Sequence, residues 1–411
     1  RQARYGLVIS MTPMMILFLI VFVDLVGFGI MVPLLPFYVE RVGAGPEIIT
    51  ITLGLYSLFQ FIAAPIWGKL SDKYGRKPIL AWALSGFAVS YLILGFADSL
   101  WMVIASRVFG GLMAGNISAA FAYVADITTP ETRAKGMGMV GAAFGLGFIF
   151  GPVIGGVLAG SDIETANFLL PALVAASLTC VALLGVIFVL PESLSQDIRD
   201  QIRDRPKVPV MTKIRAALNR RALTLIVLIG FGVTMAWALL ETTLALWANS
   251  VMNLGPRDIG LLLAYVGVIS VIIQGGMIGP LTKGFGEKIL VAVAVCFLFS
   301  GYGFLAAAQD WAFLIISMTL LAIGNALANP SLSSLVSKEA DDTERGAILG
   351  VYQGASSLAR VAGPMYAGLV FVQLGPAVPF VIAAVCMVPT LVMVLSLPRD
   401  ASAPVAGNSA K

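Results

Sequence analysis

Histidine is missing from this 411-residue chain, which excludes imidazole proton relays and argues against a catalytic zinc site. Charge is scarce as well: Asp, Glu, Lys and Arg make up 12% of the residues, against about 25% in an ordinary soluble protein. Cysteine occurs three times, as Cys180, Cys296 and Cys386, each inside an apolar run where a disulfide framework has no role. No Gly-x-x-x-x-Gly-Lys-[Ser/Thr] loop occurs, which argues against direct ATP drive, and no nucleophile–base arrangement marks an enzyme. What the chain does have is apolar bulk: 59% of residues are hydrophobic and the mean hydropathy is +0.94. So little polar surface makes lipid the solvent for most of it.

A helix needs about 20 apolar residues to cross about 30 Å of hydrocarbon. Twelve such runs are predicted, at 12–38, 48–68, 78–97, 100–124, 135–160, 166–190, 222–250, 258–282, 288–307, 311–336, 346–372 and 377–397. The expected fold is therefore all-α and polytopic, with six-helix bundles at 1–190 and 222–398 joined by a charged linker at 191–221. The first run is too long, and too interrupted by Asp24, for a cleaved signal sequence. Residues 399–411, rich in Ala, Ser, Pro and Gly, read as a disordered tail. If the N-terminus is cytoplasmic, 22 of the 26 Lys and Arg fall on the inner side, as the positive-inside bias requires. That bias also explains the basic end of the linker, Lys213, Arg215, Arg220 and Arg221, so no nucleic-acid partner is expected; membrane lipid is.

The two halves overlay at an offset of about 211 residues. Gly68–Lys77 falls on Gly279–Lys288, Arg133 on Arg345, Gly138 on Gly350, and Gly151-Pro152 on Gly363-Pro364. Repeated halves with a site between them near the midplane are the architecture of alternating-access transporters.

Four motifs then carry a resemblance. Gly68-Lys69-Leu70-Ser71-Asp72-Lys73-Tyr74-Gly75-Arg76-Lys77 is similar to the loop motif Gly-x-x-x-Asp-x-x-Gly-Arg-Arg/Lys of the major facilitator superfamily. Gly147-x-x-x-Gly151-Pro152-x-x-Gly155-Gly156 in the fifth run resembles the motif of its antiporters. Arg107-x-x-Gly110-Gly111-x-x-x-Gly115 resembles the intramembrane arginine motif, and Asp24-Leu25-Val26-Gly27-Phe28-Gly29, with Pro33 and Pro36, resembles the first span of tetracycline-type exporters. The resemblance to the twelve-span drug:proton antiporter branch runs from about residue 12 to 397. It implies that Asp72, Arg76 and Asp126 form a charge relay that latches the halves closed at the cytoplasmic edge, Asp72 facing a helix N-terminus of the other half. Gly68 and Gly75 are expected to allow close helix approach and a sharp loop. The second copy has Lys283 and Glu287 where Asp72 and Arg76 are expected, so a second latch of the same polarity is not expected.

Four charges lie inside predicted spans: Asp24, Arg107, Glu241 and Arg360. An ion near the bilayer centre costs at least about 2.5–3.5 kcal/mol, so each should face a cavity or a partner. A carboxylate held between a desolvating pocket, which favours its neutral form, and a cation, which favours its charged form, can load a proton on one side and release it on the other. Asp24 is the first candidate for this coupling, Glu241 the second, and Arg107 the cation that tunes it; static salt bridges, Asp24–Arg107 and Glu241–Arg360, are the alternative. A substrate pocket is expected from Phe28, Met31, Gln60, Asn116, Trp237, Gln274, Asn325, Asn329, Gln353 and Arg360, although helix packing alone accounts for any single one. Gly147, Gly151, Pro152, Gly155, Gly363 and Pro364 are expected to pack helices and permit a bend.

The expected function is secondary active export of a small amphipathic or hydrophobic drug-like compound in exchange for protons, with no cofactor. The chain is expected to act as a monomer in a bacterial cytoplasmic membrane, both termini inside. A lipid or glycolipid flippase, a proton-coupled nutrient symporter and a receptor without transport are the alternatives.

Overall fold

The computed structural model describes residues 12–194, 220–339 and 345–398, without side chains for 130–135 and 345–347. The linker core and the tail lie outside the described residues. Twelve helices are long and apolar enough to cross a membrane: span 1, Pro13–Arg41; span 2, Pro46–Tyr74; span 3, Arg76–Gly95; span 4, Leu100–Ile127; span 5, Gly136–Ala159; span 6, Leu169–Phe188; span 7, Arg221–Met252; span 8, Pro256–Phe285; span 9, Glu287–Ala307; span 10, Trp311–Glu339; span 11, Ile348–Leu374; and span 12, Val378–Leu395. Helices satisfy every backbone polar group internally, which is what hydrocarbon demands. Their starts are marked locally. Pro13, Pro46 and Pro256 open spans 1, 2 and 8, where a missing N–H costs nothing. Gly75 and Gly286 turn the chain between spans 2 and 3 and spans 8 and 9 at φ 106° and 78°, values that favour glycine, at equivalent points of the repeat. The three cysteines are free.

Spans 1–6 and 7–12 form two halves, which meet where span 5 packs on span 8 and span 2 on span 11. These contacts are confined to one end. A Cβ on Gly255 would sit 1.8 Å from the Ser161 carbonyl oxygen, and one on Gly368 would sit 2.2 Å from Thr50 Oγ1. The Arg257 N–H donates to the Gly160 carbonyl at 3.2 Å, a backbone bond between the halves. The 5–8 contact continues to Gly145 and Val271, about 22 Å along span 8 from Pro256. Beyond it, toward the end that bears Lys69, Lys73, Lys77, Lys283 and Lys288, the helices part. A Cβ added at Gly138 or Gly141 of span 5, at Gly275, Gly276 or Gly279 of span 8, or at Gly350 or Gly354 of span 11 would meet nothing within 4 Å. The protein is thus closed at its far end and gapes at its basic end.

Three spans are interrupted. Span 1 breaks at Val32–Leu34, where Pro33 cannot donate, and resumes as Leu35–Arg41. Span 8 passes through a π-helical turn at Ile273–Met277, just past Val271, which faces Gly145 of span 5. Span 4 breaks at Ala114–Gly115. An α-helix would bond the Asn116 N–H to the Leu112 carbonyl; here the Trp67 indole N–H donates to that carbonyl instead, at 2.6 Å. Residues 191–194, expected in the linker, fold back on the first half: the Tyr123 hydroxyl donates to the Pro191 carbonyl, and Leu194 is buried.

Candidate functional site

The break in span 4 delivers Asn116 to Asp24. Asp24 is 6% exposed, and its Oδ2 accepts a hydrogen bond from Asn116 Nδ2. The Asn116 carbonyl oxygen is held in turn by the Ile117 N–H at 2.9 Å, which orients the amide. Asp24 borders a cavity of about 10 Å³, room for one water, walled by apolar residues that include Leu80 and Leu84 of span 3 and Ile117 and Ala120 of span 4. The acid is therefore buried among residues of the first half.

Arg107 does not pair with it. No ion pair among the described residues joins the two, so the alternative of a static Asp24–Arg107 bridge is not what this structure holds. Arg107 is 5% exposed, and its Nε donates to Ser106 Oγ at 3.4 Å. Counting along the chain puts Asp24 near mid-depth and Arg107 somewhat nearer the outer face; both stand within Coulombic reach of Tyr56 and Tyr91, yet their own charged groups form no ion pair. The glycines of the arginine motif bring these walls in: Gly110 abuts Ser90, Gly111 the Tyr56 carbonyl and Gly115 the Trp67 ring.

In the second half, Arg360 Nη1 lies 3.5 Å from Glu241 Oε2, and the Trp237 indole N–H donates to the other oxygen at 2.8 Å. This pair meets the gap: the Arg360 side chain is 49% exposed and that of Glu241 27%. Phe28 and Phe148 lie with Tyr56 in an aromatic cluster of the first half, centroids 5.7 and 6.1 Å from Phe28. Tyr56 stands within Coulombic reach of Arg360, across the halves. Gln353 and Asn329 are exposed, Asn329 Nδ2 bonding Asn325 Oδ1 at 2.9 Å; Gln274 is exposed on the π turn, and Gln60 is part-buried. Met31 does not belong with them. It is 2% exposed in the packed core, because the chain turns there and its carbonyl accepts the Leu34 N–H.

The loop motif forms a charge cluster. Arg76 Nη1 binds Asp72 Oδ1 at 2.6 Å, and its Nε binds Asp126 Oδ2 at 2.9 Å. Ser71 and Ser193 join the cluster, and Glu192 caps span 3 by accepting the Arg76 and Lys77 backbone N–H groups at 2.9 and 3.2 Å. Sequence reading missed Glu192, and its position directly after span 6 was the available signal. All these partners lie in the first half. Gly68, expected in a close approach, faces open space because spans 2 and 11 are apart at this end.

The second half holds an inverted counterpart. Glu287, at the position of Arg76, binds Lys338 Nζ at 2.5 Å, and Lys338 stands 212 residues after Asp126. Ser334 Oγ donates to the same Glu287 oxygen at 2.8 Å. The repeat keeps the pair and exchanges the signs.

The glycine ladder of span 5 packs within the first half. Gly147, Gly151 and Gly155 meet Leu25, Gly29 and Ile30 of span 1 closely, while Gly156 faces span 8. Gly363 meets the Met235 carbonyl of span 7, and Pro364 packs against Gly54. The helix runs unbroken through both Pro152 and Pro364.

Together these features define a class: an integral membrane protein of twelve spans in two related halves, with a carboxylate, Asp24, buried inside the first half and a charge pair, Glu241–Arg360, at the gap between halves. The profile of the Major Facilitator Superfamily matches residues 17–301 and 275–411, and the chain belongs to that superfamily. The Escherichia coli tetracycline resistance protein, class C, is 32% identical over 83% of this chain and 85% of its own length. Multidrug resistance protein 2 of Bacillus subtilis is 28% identical over 90% of each. Among solved structures, the human organic anion transporter MFSD10 superposes with a TM-score of 0.71 at 24% identity, over 93% of this chain and 98% of that one. The efflux-type resemblance read from the motifs agrees with these relatives.

Proposed function

We propose that this chain is a secondary transporter, not an enzyme, that exports a small amphipathic or hydrophobic drug-like compound in exchange for protons by alternating access. It works in a bacterial cytoplasmic membrane, with its basic end and both termini in the cytoplasm, so the gap described above opens inward. The relatives named for tetracycline and multidrug resistance support the drug class. The observation that carries proton coupling is Asp24: an acid in an apolar enclosure with a neutral amide as its hydrogen-bond donor. An ion there costs several kcal/mol, so its protonation answers to any rearrangement that brings water or a donor nearer. Substrate would enter the gap between the halves, and closing it at the basic end would bring spans 2 and 11 and spans 5 and 8 together there.

Proteoliposomes with an imposed proton gradient test this reading. Tetracycline and lipophilic drugs should move against the proton flow in the wild type, and Asp24→Asn should bind drug yet lose the response to the gradient. Uptake along the proton flow, or a normal response in Asp24→Asn, overturns it.

A further inference from the structure

Of the four charges inside the spans, two are enclosed and two are not. Asp24 and Arg107 are 6% and 5% exposed, whereas Glu241 and Arg360 reach the gap at 27% and 49%. These two are also loosely joined. Their single contact of 3.5 Å exceeds the 2.7–2.9 Å of a charge-assisted bond and exceeds the contacts of Arg76 at 2.6 and 2.9 Å in the same protein. A guanidinium carries five N–H donors, and this contact engages one of them. The carboxylate is steadied from the other side by Trp237. The result is a cation with spare donors beside an anion with one oxygen committed to Trp237, the cation within Coulombic reach of Tyr56 of the other half.

We propose that the Glu241–Arg360 pair selects a zwitterionic substrate, whose anionic oxygen group binds Arg360 and whose protonated amine binds Glu241. This rests on the transport reading above and names the substrate class of its gap. The argument is one of charge balance. A purely cationic ligand that takes Glu241 leaves Arg360 without a carboxylate, and a purely anionic one leaves Glu241 without a cation; partial exposure of both side chains softens each loss, which keeps the expected preference at about tenfold. A zwitterion replaces each partner by one of equal charge, and the site stays neutral throughout. The weak native contact makes this exchange cheap. The planar part of the ligand is left to the Phe28–Tyr56–Phe148 face.

Three probes on one aromatic scaffold separate the contributions: ciprofloxacin, a zwitterion; its methyl ester, a cation; and its N-acetyl derivative, an anion. Equilibrium binding to the purified full chain should favour ciprofloxacin about tenfold over both. Arg360→Gln should abolish its advantage over the ester, Glu241→Gln its advantage over the N-acetyl compound, and Arg360→Lys should restore part of the former. A matching thermal transition for each variant keeps misfolding from imitating the loss. Equal wild-type binding of all three, binding of none, or an unchanged preference in Arg360→Gln overturns the proposal. The predicted binding pattern without drug–proton exchange in vesicles would sink the transport reading and leave the site standing. Exchange that proceeds equally well with the ester would do the reverse.

Discussion

Lys338→Met should destabilise the protein more than Glu287→Gln, although the two changes break the same ion pair. The reason is an asymmetry in burial. The Glu287 side chain is 3% exposed and that of Lys338 is 53% exposed, with 2.5 Å between the charged atoms. Removing the lysine strands a buried anion, an event that costs about 3–5 kcal/mol when both partners are enclosed. Water screening at the ammonium and the remaining Ser334 bond soften this. The N-terminal dipole of span 9 softens it further, leaving about 2 kcal/mol. Glu287→Gln keeps a partner for Ser334 and leaves only a lysine that water already solvates, so its cost should stay below about 1 kcal/mol. The double variant should resemble Glu287→Gln alone. At roughly 2–4 °C per kcal/mol for a unit of 150–250 residues, thermal unfolding of detergent-purified protein should show Lys338→Met melting roughly 4–8 °C lower, with most of the loss recovered in the double variant. Equal shifts for the two single variants, or a double variant worse than Lys338→Met, would refute the burial argument.

Two further outcomes follow from single contacts. Gly255→Ala places a Cβ 1.8 Å from the Ser161 carbonyl oxygen, so the far-end closure cannot persist unchanged; a cysteine introduced at Ser161 should be labelled several-fold faster by an impermeant maleimide in this background, and equal rates would show that the closure does not depend on that contact. Asn116→Leu removes the side-chain donor to Asp24 and should reduce proton-coupled drug movement as far as Asp24→Asn does; normal coupling would exclude Asn116 from the site.

What the sequence could and could not reveal divides along the difference between depth and direction. Span number, the two halves and the four interior charges are readable because hydrophobic length and charge position depend on counting along the chain. Counting also set Arg107 somewhat nearer the outer face than Asp24 and within reach of it, yet the two form no ion pair. Depth follows from a rise of about 1.5 Å per residue, whereas direction depends on local interruptions such as the break at Gly115, which seats its backbone on Trp67 and turns Asn116 toward Asp24. The inverted cluster eluded sequence reading for a related reason. Lys283 and Glu287 looked like a degraded copy of the loop motif when matched type for type, because the partner that completes the pair, Lys338, lies 51 residues beyond Glu287, on span 10. Arg76 and Asp126 are 50 residues apart, on spans 3 and 4, so the same two helix positions are joined in each half. Gly75 and Gly286 likewise make the same positive-φ turn before each of them. The repeat has therefore preserved a turn and a distance between opposite charges while letting the sign at each position exchange, which is what electrostatics permits: the attraction of a pair is unchanged when both signs reverse. Dipole interactions with neighbouring helix ends are not unchanged, so the two clusters are interchangeable in holding their own halves together and unlike in what they present to the other half when the basic end closes.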